Sequence, residues 1–235
     1  MNEIVNWYFS QYGQDKALAE VIFRNKTHGV FLDIGANDGV TYSNTYFFEK
    51  ELKWNGVCIE PLPHTFEKLK QNRDCIVENC AVGAKNSKEI FLEISGYAEM
   101  LSGLKSKYDK RHLDRIDSEI KLYGGTKKEV ELNVVNINQL IMKHSIDLID
   151  YCNIDTEGSE LYILKAVNFN KIKINVLTVE ANYKIDRIKL KFYLFLRGYR
   201  YVCNFGNDML FIHLRLLNEL GDISILKHLI SKAIL

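Results

Sequence analysis

The chain has 235 residues, 47% of them apolar and 26% charged, with Lys+Arg 31 against Asp+Glu 30 and a formal net charge of +1. That length suits a single α/β domain, 1–235, carrying an insertion, and the charge balance removes any global electrostatic case for binding nucleic acid. No run of about eighteen apolar residues occurs, and MNEIVNWYFSQYGQD lacks a basic region followed by a long apolar one, so neither a membrane span nor a leader is expected and the cytoplasm is the simple location.

In chain order, Ser10 is placed to cap a helix over 10–24. Residues 29–34 read as the first strand, and a helix follows from about Thr41 to Leu52. A second strand ends at Glu60, where Pro61 and Pro63 stiffen the exit. A helix over 64–72 and a strand over 75–79 lead into a turn, Asn79 to Gly83. Two β-like runs, 88–94 and 129–135, flank a polar, helix-compatible insertion from Gly96 to Lys128, and a further helix ends at His144. Strands at 148–155 and 174–180 each precede a helix, one beginning near Glu157 or Gly158 and one spanning about 185–197. This alternation predicts a doubly wound, mostly parallel sheet. A hairpin around Phe205-Gly206-Asn207-Asp208 makes the last strand antiparallel, and 215–235 reads as one terminal helix. Cys58, Cys75, Cys80, Cys152 and Cys203 show no C-x-x-C pairing and read as buried thiols in a reducing compartment. The lysines from Lys121 to Lys128 read as solvated surface.

The informative segment is VFLDIGANDG, 30–39, an apolar run that breaks into a glycine-bracketed loop with two acids before a helix. Asp33 and Glu60, near the ends of two strands of one βαβ unit, are expected at the carboxyl edge of the sheet, where open α/β sheets bind ligands. There Glu60 would accept both hydroxyls of a ribose. A dinucleotide fingerprint needs G-x-G-x-x-G, but with Gly35 first, Asn37 and Val40 fill the other two glycine positions. Asp33 and Asp38 oppose a pyrophosphate and suit a cationic sulfonium with an amino-acid tail. The electrostatics favour S-adenosylmethionine, although glycine and aspartate are also ordinary turn residues.

A second acidic group closes the later strands. Asp155 ends one, with Glu157 and Glu160 behind it, and Glu180 ends the next, followed by Asn182. Carboxylates there can deprotonate an acceptor hydroxyl or gather a divalent cation, Mg or Mn. Glu157 is expected as the base, Asp155 as its catalytic neighbour, and Asp155 and Glu180 as metal ligands. Glu157 and Glu160 would also suit a helix N-terminus for its dipole alone. Asp208 at the hairpin tip and His112 in the insertion are candidate substrate contacts. His64 and His144 read as surface residues, and no histidine has zinc-site spacing.

Four ordered segments, SQYGQD (10–15), FLDIGANDGVTYSNT (31–45), GVCIEPLPHTFEKLKQNR (56–73) and NIDTEGSELYILKAV (153–167), resemble the FkbM family of S-adenosylmethionine-dependent methyltransferases. The resemblance implies a Rossmann-like class I methyltransferase fold with a seven-stranded sheet, and methylation of a hydroxyl, commonly on a sugar or a polyketide-type product. By position it implies that Asp33, Gly35, Asp38 and Gly39 cradle the methionine part. Glu60 would then hold the ribose, Asn79, Cys80 and Ala81 would flank the adenine, and Asp155 would stand near the methyl group. Asn37 joins this cofactor set in place of the central glycine of the commonest methyltransferase loop. The insertion, 96–128, matches little and is expected to cap the substrate. The expected function is O-methylation of a saccharide or nucleotide-activated sugar in surface glycan biosynthesis. A nucleotide-sugar or nicotinamide-dependent oxidoreductase and a non-catalytic S-adenosylmethionine-binding module are the alternatives. The expected partner is a small-molecule or saccharide acceptor, with no nucleic acid, and a homo-oligomer is left open.

Overall fold

Along the central strands successive side chains point to opposite faces, and both faces are apolar. Leu32, Ile34, Val57, Ile59, Cys152 and Ile154 enter one core, while Phe31, Cys58 and Tyr151 enter the other. Strands buried on both sides belong in a sheet covered by helices twice over. A computed structural model describes residues 8–234. Its strands are β1 (Val30–Ile34), β2 (Asn55–Ile59), β3 (Ile76–Glu78), β4 (Ala81–Gly83), β5 (Ser87–Ile94), β6 (Gly103–Leu104), β7 (Lys127–Asn136), β8 (Leu148–Ile154), β9 (Lys173–Glu180), β10 (Tyr199–Phe205) and β11 (Asp208–His213). The helices are α1 (Gln14–Ala17), α2 (Tyr46–Lys50), α3 (Pro63–Asn72), α4 (Lys110–Tyr123), α5 (Ile137–Lys143), α6 (Glu160–Ala166), α7 (Lys184–Phe195), α8 (Leu214–Leu220) and α9 (Ile223–Ala233).

The main sheet has seven strands in the order β10-β11-β9-β8-β1-β2-β3. β1 runs parallel to both β2 and β8, and β11 runs antiparallel to β9 and β10, as the hairpin predicts. Helices α5, α6 and α7 cover one face, and α1, α2, α3, α8 and α9 the other. Among the described residues no helix is long and apolar enough to cross a membrane.

Several elements differ from the sequence expectation. The turn at 79–83 contains β4, which pairs with β7, so that the flanking β-like runs build a separate four-stranded sheet, β4-β7-β5-β6. β5 and β7 pair antiparallel from Ser87↔Val134 to Ile94↔Lys127. The insertion is therefore the tip of a long hairpin, and its amphipathic helix α4 buries Ile116 against Leu92 and Leu101. The first helix begins at Gln14 and continues as a π-helical turn, Leu18–Ile22. Gly13 rather than Ser10 holds the N-cap position, but the Ser10 hydroxyl accepts the Asp15 amide of the first turn while its hydroxyl and amide donate to the Asp15 carboxylate. Residues 41–45 form a loop before α2, and the helix after β8 starts at Glu160. The terminal helix breaks at Gly221, and Asp222 restarts it by accepting the Ser224 amide; Leu235, to which that helix was expected to run, lies outside the described residues. Cys58, Cys80 and Cys152 are buried as expected, whereas Cys75 and Cys203 are half-buried.

Candidate active site

Strand order reverses direction at β1 and β8, which leaves a crevice beyond their carboxyl ends. A cavity of about 520 Å³ lies there, within the roughly 300–1,000 Å³ of small-molecule sites. Gly35, Asn37, Asp38, Glu60 and Asp155 line it from the strand ends of the main sheet, as do Glu157, Ser159, Glu180 and Asn182, with Cys80 and Ala81 joining them at the start of β4. Leu101, Ser102, Leu104 and Arg115 line it from the hairpin tip, so the insertion forms one wall.

Glu60 stands one residue past β2, and burial leaves it 7% exposed. Its two oxygens accept the Leu62 amide at 2.9 Å and the Asn37 amide at 3.1 Å, which bind the second strand end to the first loop. Asn37 takes a φ of 49° to deliver that amide. Burial pushes the Glu60 carboxyl up from 4.5 to about 7, with Asp33 adding to the rise, against the pull of those two amides. Asp38 behaves oppositely: burial would raise it, but the Thr41 hydroxyl and the Val40 and Thr41 amides hold it below its ordinary value.

Three of the expected cofactor residues do not line the cavity. Asp33 aligns with Cys58, two residues deeper in the sheet than Glu60, and lies in the layer under α2. There it accepts from the Thr45 hydroxyl at 2.6 Å and the Asn153 amide at 2.9 Å. Asn153 and Thr178 lie beside it in register and extend this buried network to Tyr151. Asn79 donates to the Glu60 and Pro61 carbonyls and shapes the turn. Gly39 offers its carbonyl to Arg73, a buried guanidinium that also donates to the Thr45 hydroxyl and the Glu49 carboxylate. Nothing local in the sequence marks Arg73, since its partners come from the loop and helix after β1.

At the far end Asp155, Glu157 and Glu180 converge, with one oxygen of each lying within 4.8 Å of the others. Glu157 is a non-glycine residue at a φ of 52°, a conformation that points its side chain back into the cavity. Of the two glutamates expected to suit the helix dipole, only Glu160 stands in the first turn of α6, and its carboxylate also accepts the Thr156 and Gly158 amides of the preceding loop. Asn182 donates to Glu180 at 2.8 Å and to Glu157 at 3.3 Å. Burial pushes Asp155, Glu157 and Glu180 all upward; the Asp155 charge adds to the rise of the two glutamates, and Asp208 and Glu160 add to that of Asp155 against a hydrogen bond with Glu180 that lowers it. Asp208 is not a cavity residue. Its carboxylate accepts from Gln14 at 2.7 Å, and its neighbour Asn207 takes the place at the rim. His112 is not at the surface of the insertion but buried at 4% exposure, lining an adjoining cavity of about 110 Å³ that shares Glu180 and Asn182 with the first. His64 is exposed at the rim, and His144 bonds Glu78.

Raised carboxyls tie stability to pH. A carboxyl that holds its proton more tightly when folded contributes stability that is fully present below about 4.5 and lost as pH climbs through about 7. For Glu60 alone this amounts to about 3 kcal/mol. Carboxyls held low, such as Glu49, act only below about 4.5 and do not oppose it, whereas His112 and His213, held low by burial, offset part of it as pH rises through about 6.5. The ligand-free protein is expected to melt about 5 °C or more lower at about pH 8 than at about pH 5.5 in scanning fluorimetry. A melting point that is flat or rising over that interval contradicts the assignment.

Counting the main-sheet strands in chain order, the order 6-7-5-4-1-2-3 with the seventh antiparallel defines the Rossmann-like class I methyltransferases, the class that uses S-adenosylmethionine. The chain belongs to the FkbM methyltransferase family: the model of the methyltransferase FkbM domain matches residues 33–223. Among solved structures it is similar to methyltransferase FkbM from Methylobacillus flagellatus KT, at 16% identity and a TM-score of 0.48 over 80% of this chain and 44% of that one. It is also similar to a precorrin-6y C5,15-methyltransferase from Geobacter metallireducens GS-15, at 14% identity and a TM-score of 0.44 over 90% of each chain. The N-terminal domain of human METTL16 in complex with SAH matches at 14% identity and a TM-score of 0.41, over 83% of this chain and 65% of that one. The chain thus spans less than two thirds of the METTL16 and Methylobacillus chains. No curated protein matches the sequence.

Proposed function

We propose that the chain is an S-adenosylmethionine-dependent O-methyltransferase acting in the cytoplasm on a hydroxyl of a saccharide or nucleotide-activated sugar, in surface glycan biosynthesis. The observation that carries this reading is one cavity with an acid at each end, Glu60 at one and the Asp155, Glu157 and Glu180 group at the other. The donor set fits the cofactor: a carboxylate for a ribose, apolar Cys80 and Ala81 beside it for a base, and acids without a phosphate cradle toward the sulfonium. S-adenosylmethionine supplies an electrophilic methyl group when bound. Glu60 holds the ribose hydroxyls, and the Gly35–Asp38 loop holds the amino-acid end. Glu157 would accept the proton of the acceptor hydroxyl as the acceptor oxygen bonds the methyl carbon, the carbon–sulfur bond breaks and S-adenosylhomocysteine leaves, a step in which a positioned base contributes about 10²–10⁴-fold. The whole of 1–235 acts as one methyltransferase domain in this reading, with 96–128 capping the acceptor.

Labelled S-adenosylmethionine incubated with the protein and a panel of nucleotide sugars tests this by mass spectrometry, one added methyl being the expected result. Uptake of a nicotinamide nucleotide but not of S-adenosylmethionine in calorimetry overturns it. The donor end has its own test. Glu60→Gln removes charge-assisted hydrogen bonds worth about 2 kcal/mol, so donor affinity falls about 30-fold. Because the ionised carboxylate is the acceptor, wild-type affinity should tighten as pH rises through about 7, and this slope should vanish in the variant.

A further inference from the structure

We propose that Asp155, Glu157 and Glu180 form a divalent-cation site at the inner end of the cavity, one suited to Mn²⁺. Hard cations take oxygen ligands at about 2.0–2.6 Å, so ligands on opposite sides of an ion stand about 4–5 Å apart. The three carboxylate oxygens lie within 4.8 Å of one another, which matches that span. Among the described residues no lysine or arginine nitrogen comes within 4.0 Å of any of them. Arg115 reaches the cavity wall but is bonded to Glu119. The remaining brace, Asn182, is uncharged. Arg115 acts on Glu157 and Glu180 only through space, one positive charge against three gathered carboxylates, and a cation among them would remove the remaining desolvation penalty.

A second observation comes from a different element. His112, on α4, is 4% exposed, and its Nε2 has no hydrogen-bond partner. That nitrogen faces the cluster, 3.9 Å from Glu157 Oε2, and Tyr108 holds the ring in place by stacking at 4.2 Å. An unmet buried polar atom is destabilising, and a water bound to a cation at the cluster would satisfy it. Oxygen ligands with an imidazole beside them suit Mn²⁺ better than Ca²⁺. A part for this cation in methyl transfer rests on the function proposed above: it would lower the pKa of a bound acceptor hydroxyl, with Glu157 giving one oxygen to the ion and keeping the other to take the proton. Its binding does not.

Titration of the full chain with Mn²⁺ alone, followed by the loss of the free-ion electron paramagnetic resonance signal, should show one ion taken up per chain. Glu180→Gln and Asp155→Asn should weaken uptake at least tenfold while keeping a cooperative melt. Glu131→Gln, an exposed acid on β7, should leave it unchanged. No uptake by protein that binds S-adenosylmethionine overturns the site, as does uptake undiminished in both cluster variants. Mn²⁺ uptake without S-adenosylmethionine binding would support the site and count against the proposed function alone.

Discussion

Replacing Gly35 by alanine is expected to destabilise the fold by about 3–5 kcal/mol and to abolish donor binding. Gly35 follows β1 at a φ of 88°, a conformation that carries a penalty of about 1–2 kcal/mol for an L side chain. The larger contribution is steric. A Cβ there would stand 1.7 Å from the Asp155 carbonyl oxygen, so the ends of β1 and β8 would have to part. Those strand ends form the floor between the two halves of the cavity, and parting them displaces both Glu60, whose partner amide is on Asn37, and Asp155. Gly124 provides the control. It has a φ of 80° and a ψ of 174°, a region that residues other than glycine strongly resist, with nothing within 4 Å of its Cβ direction, so Gly124→Ala should show a backbone penalty without a clash. Thermal melts of both variants separate the two contributions, the Gly35 variant falling by about 10 °C. Equal melting points for the two variants would remove the close approach as the reason for glycine at 35.

Glu157→Gln should lower kcat by about 10²–10⁴ while leaving donor affinity within about threefold. Glutamine keeps the length and the oxygen that Asn182 binds, but it cannot take a proton or carry charge. Glu157 also lies at the opposite end of the cavity from Glu60. Stability should move the other way from activity. Burial and the nearby Asp155 and Glu160 push Glu157 upward, so neutralising it relieves repulsion and should leave the melting point unchanged or higher. Unchanged kcat in this variant would remove Glu157 from the chemistry, and calorimetry of the donor in the same sample shows whether the pocket is intact.

The fold was legible where signals are local. The apolar runs that became β1, β2, β8 and β9 and the closing hairpin set the main sheet, because a strand buried on both faces writes itself as a continuous apolar segment. The second sheet was half legible: β5 and β7 show as β-like runs, but β4 is three residues long and gains strand geometry only by pairing with β7, some fifty positions later. The break at Gly221 was hidden because helical spacing of apolar residues continues on both sides of it.

At the site, Glu60 and the loop beginning at Gly35 could be found from sequence, since a strand, a turn and the next strand end lie within one βαβ unit. The acids of β8 and β9 could be named for the same reason. What the sequence alone did not contain was cover. Asp33 shares the face of Phe31 and of its register partner Cys58 and lies two residues deeper in the sheet than Glu60, where the segment leading into α2 closes over it. His112 reads as part of a polar surface helix until α4 folds back against the hairpin and buries it beside Glu157. Chain order and local chemistry determined which residues stand at strand ends; only the packing of distant segments decided which of them share a cavity, because burial and repulsion act through space without regard to sequence separation.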